Sequence, residues 1–506
     1  MNILFVLYGD LASNSATPLA LYARQFAEHG HSCTVAIPNN LESISAHAEP
    51  AFRAVLYGDA LDEPESIFPD GRAADVIHAW TPRENVRRFV TAYMARRPTP
   101  LLVYLEDHEL WISCRALGLD EQSLLQQIES GLANSLPDAL SNPFRYASFI
   151  GLADVAVIIQ EKLKVDVPTW VHCETVMPGV DLDTFAPRAA DSTLRQRYGV
   201  AEGERVIVYP GGVNGFTRPG IKALCQAIGL INQQGYPCRL LRTGPFALDF
   251  LDELPPQAAQ AVVDLGLVPR ADLPDLLALA DVFVQPGEID PFEDLRLPGK
   301  LPEIMAMGRP VVMPNVNIAH LLRDGVDAVL TRTGTAEEIA AKCIELFADP
   351  QRAQKIGQAG RRFAEKNFDI RAQALRMEAA YETACGNFDA AMAAQVWQAS
   401  AEGDSVDLLL AHKLNLLADS PRHRSSIEMP ALLREHAQLV QSKRARVDGL
   451  EIATAVRDNH IASLSRAMAE KDAELIRMRQ DAGNLRQSAS WRLTAPLRWL
   501  GHLVNR

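Results

Sequence analysis

The chain has 506 residues, 48% of them hydrophobic, which is enough for two α/β domains with real cores plus further helical material. A formal net charge of −13 sets nucleic acid aside as a partner, and no apolar run approaches a membrane span. Seven scattered cysteines (33, 114, 173, 225, 238, 343, 385) without CxxC spacing read as reduced core residues and point to a cytoplasmic protein.

Residues 2–8 are an apolar run with no basic flank, so the start reads as a strand rather than a signal peptide. Gly9-Asp10, a helical pattern through Phe26, a stop at Gly30 and a second strand at Thr34–Ile37 complete a βαβ opening. Strand-like runs follow at Asp75–Trp80, Leu101–Leu105, Val155–Ile159 and Thr175–Met177, alternating with helices, so residues 1–183 read as one Rossmann-like domain. A second set, Val206–Tyr209, Arg239–Leu241, Val262–Leu265, Val282–Gln285, Val311–Met313 and Ala328–Leu330, places a second such domain at 184–365. The two would face each other across a cleft. A helix around Phe363–Thr383 occupies 366–385 and is expected to cross back to the first domain.

Beyond it, 386–430 is Ala-rich and reads as a helical linker. Over 431–488 a heptad runs from Leu433 through Val440, Val447, Thr454, Ile461, Met468, Leu475 and Ala482, with polar residues interrupting the partner position. Either a coiled coil, with a homo-oligomer in view, or a long solvated helix fits. Residues 489–506 carry Trp491, Trp499, several Leu, three Arg and no acid, an amphipathic composition that suits a membrane surface or a docking partner.

The chemistry concentrates between Gln285 and Val312. Pro298-Gly299 opens a short helix, Pro302 fits its first turn, and Gly308 ends it before Val311-Val312-Met313. Glu303 suits the positive end of that helix, whereas Lys300 at the same end does not, because its ammonium sits among unpaired backbone N–H groups. An anion resolves the conflict: a phosphate on Lys300 and the helix start, with Glu303 accepting sugar hydroxyls. Tyr209-Pro-Gly211-Gly212-Val-Asn214-Gly215-Phe-Thr-Arg218 lies between a strand and a helix, where glycines admit close backbone approach. In the first domain Gly9 follows the first strand, and Glu106-Asp107-His108-Glu109 follows Leu101–Leu105, at the carboxyl end of a parallel strand where α/β sheets place ligands. His78 beside apolar neighbours reads as structural. Arg83, Arg87 and Arg88, with Arg96 and Arg97, form either a basic stripe for a lipid phosphate or anionic membrane, or a solvated helix face.

The two-domain pattern, the linker Met177-Pro-Gly-Val-Asp-Leu-Asp-Thr-Phe185-Ala-Pro187 and the block Leu301-Pro-Glu303-Ile-Met-Ala-Met-Gly308-Arg-Pro-Val-Val312 resemble the family four retaining glycosyltransferases of the GT-B fold, over roughly residues 1–383. The commonest pattern of that family pairs two glutamates eight residues apart, and the residue eight before Glu303 is Leu295. Glu288, Asp290, Glu293 and Asp294 precede it in the loop and are open candidates for the missing role. Leu297-Pro-Gly-Lys300-Leu-Pro-Glu303 resembles a variant in which the lysine reaches donor phosphate and the glutamate binds ribose.

The resemblance implies a retaining hexosyl or related transferase that moves a sugar from a nucleotide-diphosphate donor to a glycan or lipid-linked acceptor in cell-surface polysaccharide synthesis. Arg218 would bind pyrophosphate and act with Lys300 and His108 in catalysis. Glu303, Gly9, Gly212, Asn214, Glu288 and Leu301 would hold the donor, and Glu106, Asp107, Arg83 and Arg87 the acceptor. Lys222, one turn after Arg218, reads as either a second phosphate ligand or an ordinary exposed lysine. Asp181-Leu-Asp183 lies in the interdomain linker, so neither metal nor cofactor is expected. The heptad and Ser-Trp-Arg-Leu-Thr-Ala-Pro-Leu-Arg tail are similar to segments of bacterial surface-polysaccharide transferases, implying attachment to an assembly machine or to the inner face of the cell membrane. A non-catalytic scaffold of the same fold and a nucleotide-sugar epimerase are the alternative readings.

Overall fold

The structure is a computed structural model, and it describes residues 1–129, 136–245, 250–398, 406–419 and 433–441. Seven strands, β1 (Asn2–Leu7), β2 (Ser32–Ile37), β3 (Arg53–Leu56), β4 (Val76–Trp80), β5 (Leu101–Leu105), β6 (Val155–Ile158) and β7 (His172–Thr175), form one sheet in the order β3-β2-β1-β4-β5-β6-β7. Six more, β8 (Arg205–Pro210), β9 (Cys238–Thr243), β10 (Val262–Asp264), β11 (Val282–Val284), β12 (Val311–Pro314) and β13 (Val329–Thr331), form a second in the order β10-β9-β8-β11-β12-β13. Both sheets are parallel throughout.

Parallel strands need helical crossovers on both faces, so their own side chains are buried on both sides. β1 obeys this fully: all six of its residues are buried. In each sheet the chain runs outward from the first strand, then returns to build on its other side. This leaves a crevice at the carboxyl ends of β1 and β4, and another at those of β8 and β11. Such reversal points are where open α/β sheets bind ligands.

Three expectations need correction. β3 was absent from the strand reading, and the last strand of the first sheet is His172–Thr175 rather than Thr175–Met177. The helix expected around Phe363–Thr383 is two helices, Pro350–Asn367 and Ile370–Asn387. The break serves the linker: Val180 N donates to Phe368 O at 2.7 Å and Ile370 N to Val180 O at 3.1 Å. Helix Ile370–Asn387 then packs on helix Ala16–Glu28 of the first domain. Its Tyr381 lies 2.7 Å from Nδ1 of the buried His78, whose pKa is pushed down to about 3 by burial, the structural role read for that histidine.

Within 386–430 the described segments are body rather than linker. Helix Val406–Asp419 buries Val406, Leu409, Leu410, Ala411 and Leu414 against helix Tyr146–Gly151. A Cβ on Gly151 would stand 2.9 Å from a Leu410 methyl, so the glycine sets the spacing of the two helices. Burying one such leucine stabilises by roughly 1.5–3 kcal/mol. Residues 433–441 are helical, and the remainder of the heptad and the tail lie outside the described residues. Among the described residues no helix is long and apolar enough to cross a membrane.

Candidate functional site

The crevice of the second sheet gathers the loop after β8, the start of helix Arg218–Gln233, the loop after β11, and helix Leu301–Ala306. Lys300 precedes this last helix directly. Its Nζ donates to Tyr209 Oη at 2.7 Å and stands 4.1 Å from the centre of the Tyr209 ring. The cation thus rests on a phenol rather than on a carboxylate. Gly211 makes this possible, since a Cβ there would stand 2.3 Å from Lys300 Nζ. Gly244, at φ +96°, brings its own backbone against Gly212, where a Cβ would lie 2.7 Å from Gly212 N. Buried Arg242 fixes that turn by donating to the carbonyls of Gly244 and Pro245.

Arg218 donates to Glu253, and the Lys222 ammonium stands 3.8 Å from the same carboxylate. Lys222 is therefore partnered rather than simply solvated. Asn214 turns inward on its own loop: Oδ1 accepts from the N–H groups of Phe216 (3.0 Å) and Thr217 (3.1 Å). It shapes the approach to Arg218. Leu301 is fully buried in the core.

Glu303 accepts from Arg270, and burial pushes its carboxyl above the usual range while the guanidinium pulls it back. Of the four loop acids, Glu288 is exposed, Asp290 caps the turn Pro291–Asp294 and pairs with Arg115 at 2.7 Å, and Asp294 pairs with Lys162 at 2.6 Å. Glu293 is the one turned inward. It is 7% exposed, and its Oε2 would stand 3.4 Å from a Cβ on Gly287 in the loop after β11. The Arg115 and Lys162 pairs tie this loop to the first domain, with Phe292 seated against Ile112 and Leu140.

The crevice of the first sheet is built otherwise. Gly9 follows β1, and a Cβ there would stand 3.3 Å from that of Ser13. Ser15 donates to Glu106 Oε2 at 2.5 Å, and Arg83 lies over the Tyr8 ring at 3.7 Å from its centre. Burial pushes the Glu106 carboxyl up to about 7. It raises Asp107 as well, against the pull of Arg296 and Arg83, and Glu109 against that of Arg83. His108 stacks on Trp111 at 4.7 Å and lies 3.5 Å from Asp166, whose carboxyl burial raises to about 7. At the end of β4, Thr81 adopts φ +72°, a strained conformation for a β-branched residue.

Within the basic stripe, Arg83, Arg87 and Arg88 do not form an open cationic face. Arg87 is fully buried and bound by both oxygens of Glu84 (2.9 and 3.0 Å), Arg83 pairs with Glu109 at 3.6 Å, and Arg88 pairs with Asp138. Helix Glu84–Arg96 turns Arg87 toward the core, where an unpaired guanidinium would be costly and Glu84 one turn earlier supplies the counter-ion. Asp181 accepts from Thr184 Oγ1 at 2.7 Å and Asp183 pairs with Arg371, so both act in the linker turn. Among the described residues no group of acidic, histidine or cysteine side chains has the arrangement of a metal site. A cavity beside Trp170, Phe388, Trp397 and Lys413 adjoins Asp154 at the amino end of β6, the opposite edge of the sheet from the crevice.

The partners Tyr209, Arg270, Glu253 and Glu293 complete the second crevice, and sequence reading had assigned none of the first three. Each lies far along the chain from the residue it touches. Only Glu293 carried a local signal, as one of the loop acids.

Two parallel sheets of this order, facing across a crevice, define the GT-B architecture. Residues 204–349, the part that carries Lys300, Arg218 and Glu303, match the family described as glycosyl transferases group 1. The chain is 29% identical over 214 residues, 40% of its length and 54% of the other's, to the GDP-mannose-dependent alpha-(1-6)-phosphatidylinositol monomannoside mannosyltransferase of Mycolicibacterium smegmatis. It is 26% identical over 193 residues, 37% of its length and 48% of the other's, to the putative glycosyltransferase EpsD of Bacillus subtilis. The chain thus spans about half the length of these curated relatives. HepE of Anabaena in complex with UDP and glucose superposes with a TM-score of 0.57 at 18% identity, covering 76% of this chain and all of HepE.

Proposed function

We propose that the protein transfers a sugar, with retention at the anomeric carbon, from a nucleotide-diphosphate sugar to a glycan or lipid-linked acceptor in cell-surface polysaccharide synthesis. The observation that carries this is Lys300: an ammonium at the reversal point of a parallel sheet, resting on a phenol beside a glycine turn, with Arg218 opening the neighbouring helix. A diphosphate supplies the anionic partner. Negative charge grows on the leaving diphosphate in the transition state, so fixed cations there act on rate as well as binding. Glu303, oriented by Arg270, receives the ribose hydroxyls, and Glu293 faces the donor sugar. Retention, taken from the family resemblance, fits attack by the acceptor from the leaving-group side without a protein nucleophile.

The relatives support a nucleotide-sugar donor: one is named for GDP-mannose, and the HepE structure holds UDP and glucose. Residues 431–506 would attach the enzyme to the inner membrane face or an assembly partner, and deletion of 489–506 should release it on cell fractionation. Product analysis with purified donor and acceptor tests the whole reading. A glycosylated acceptor of retained configuration supports it, an isomerised donor identifies an epimerase, and diphosphate binding without turnover identifies the non-catalytic scaffold that Leu295 would suit.

A further inference from the structure

We infer that the acceptor enters the first crevice through an uncharged, hydroxyl-rich sugar terminus, and that a phosphate next to the attacked hydroxyl is excluded. The inference rests on the transferase reading above and adds the chemistry of its second substrate.

Glu106, Asp107 and Glu109 stand in succession at the carboxyl end of β5, and the cations near them are engaged. Arg83 lies 3.6 Å from Glu109 and stacks on Tyr8. Arg296 lies 3.4 Å from Glu293. Arg115 is bound to Asp290 and Arg87 to Glu84. Glu106, by contrast, is met by the hydroxyl of Ser15, itself 3.3 Å from Tyr8 Oη. This is a surface of acceptors and hydroxyls, which suits sugar hydroxyl donors.

A phosphate placed there would face Glu106, Asp107 and Glu109 and find its nearest guanidinium already paired with Glu109, so it would meet groups of its own sign or have to break that pair. A lipid diphosphate at the far end of a longer acceptor is compatible, because only the attacked residue must enter. The second crevice shows the contrast: its lysine is held by a phenol rather than by a carboxylate.

The test uses the full chain with the nucleotide-diphosphate sugar that supports turnover, offered matched methyl glycosides with and without a 6-phosphate. The expected result is a kcat/KM at least about tenfold higher for the neutral member of each pair, equivalent to about 1.4 kcal/mol. Glu106→Gln and Asp107→Asn, both isosteric, should each narrow that ratio several-fold while nucleotide-diphosphate stabilisation is retained. Equal or better use of the phosphorylated members, or an unchanged ratio in both variants, overturns the inference. So does transfer to neither set when the diphosphate still stabilises the protein, which leaves the donor reading standing. Loss of diphosphate stabilisation in the wild type removes the transferase reading and the inference together.

Discussion

The two crevices share a topology and differ in charge. At the ends of β8 and β11 the residues presented are Lys300, Arg218 and an arginine-held Glu303; at the ends of β1, β4 and β5 they are Glu106, Asp107 and Glu109. The same strand order therefore gives a pole suited to an anion and a pole suited to hydroxyl donors. Fold alone does not decide which is which. The difference comes from a few side chains on the loops and helix starts that follow the strands, and each can be changed without touching a strand.

The largest expected effect is at the cationic pole. Lys300→Ala should remove the charged hydrogen bond proposed to the diphosphate, costing about 1.5–3 kcal/mol, or about 10–100-fold in turnover, with the melting temperature little changed. Steady-state kinetics beside thermal denaturation checks both halves. Arg270→Ala should come next. Without its guanidinium, the buried Glu303 carboxyl rises further, so the acid limb of donor binding moves to higher pH; titrating nucleotide affinity against pH reads the shift directly.

The acidic pole makes a prediction about stability. The folded-state pKa of Glu106 is about 7, above its ordinary 4.5, so between these values the folded chain binds more protons than the unfolded one and stability falls as pH rises. Glu106→Gln should flatten that decline, by at most about 3 kcal/mol between pH 4.5 and pH 8. Chemical denaturation at a series of pH values measures it, and Asp166, raised for the same reason, leaves a residual slope. The smallest effect is expected from Glu253→Gln, which loosens the carboxylate hold on Arg218. Diphosphate affinity measured by calorimetry should rise a few-fold, roughly 1 kcal/mol.

How much of this was legible in the sequence follows the range of the forces involved. β5 could be read as it stands because five consecutive apolar residues between Pro100 and Glu106 leave no other option. Lys300, Glu303 and Gly308 were legible from helix-end chemistry, and Gly308 indeed adopts φ +68°. β3 escaped because Arg53–Leu56 is a short edge strand with an exposed first residue, and β7 because its half-exposed residues make no apolar run. The burial of Arg87 was locally encoded by Glu84, three residues earlier, but the run of arginines drew the reading toward a cationic surface. Tyr209 and Lys300 are 91 residues apart, and Arg270 and Glu303 are 33 apart. Such pairs come together only through the sheet, so no spacing rule could announce them.

The central claim is that the second crevice holds a nucleotide diphosphate between Lys300 and Arg218. Thermal stabilisation by a set of nucleoside diphosphates, run in parallel on wild type and Lys300→Ala, tests it most directly. The expected result is a rise in melting temperature that is selective for one base and is largely lost in the variant. A melting temperature unmoved by every diphosphate, or a rise of equal size in both proteins, would contradict it.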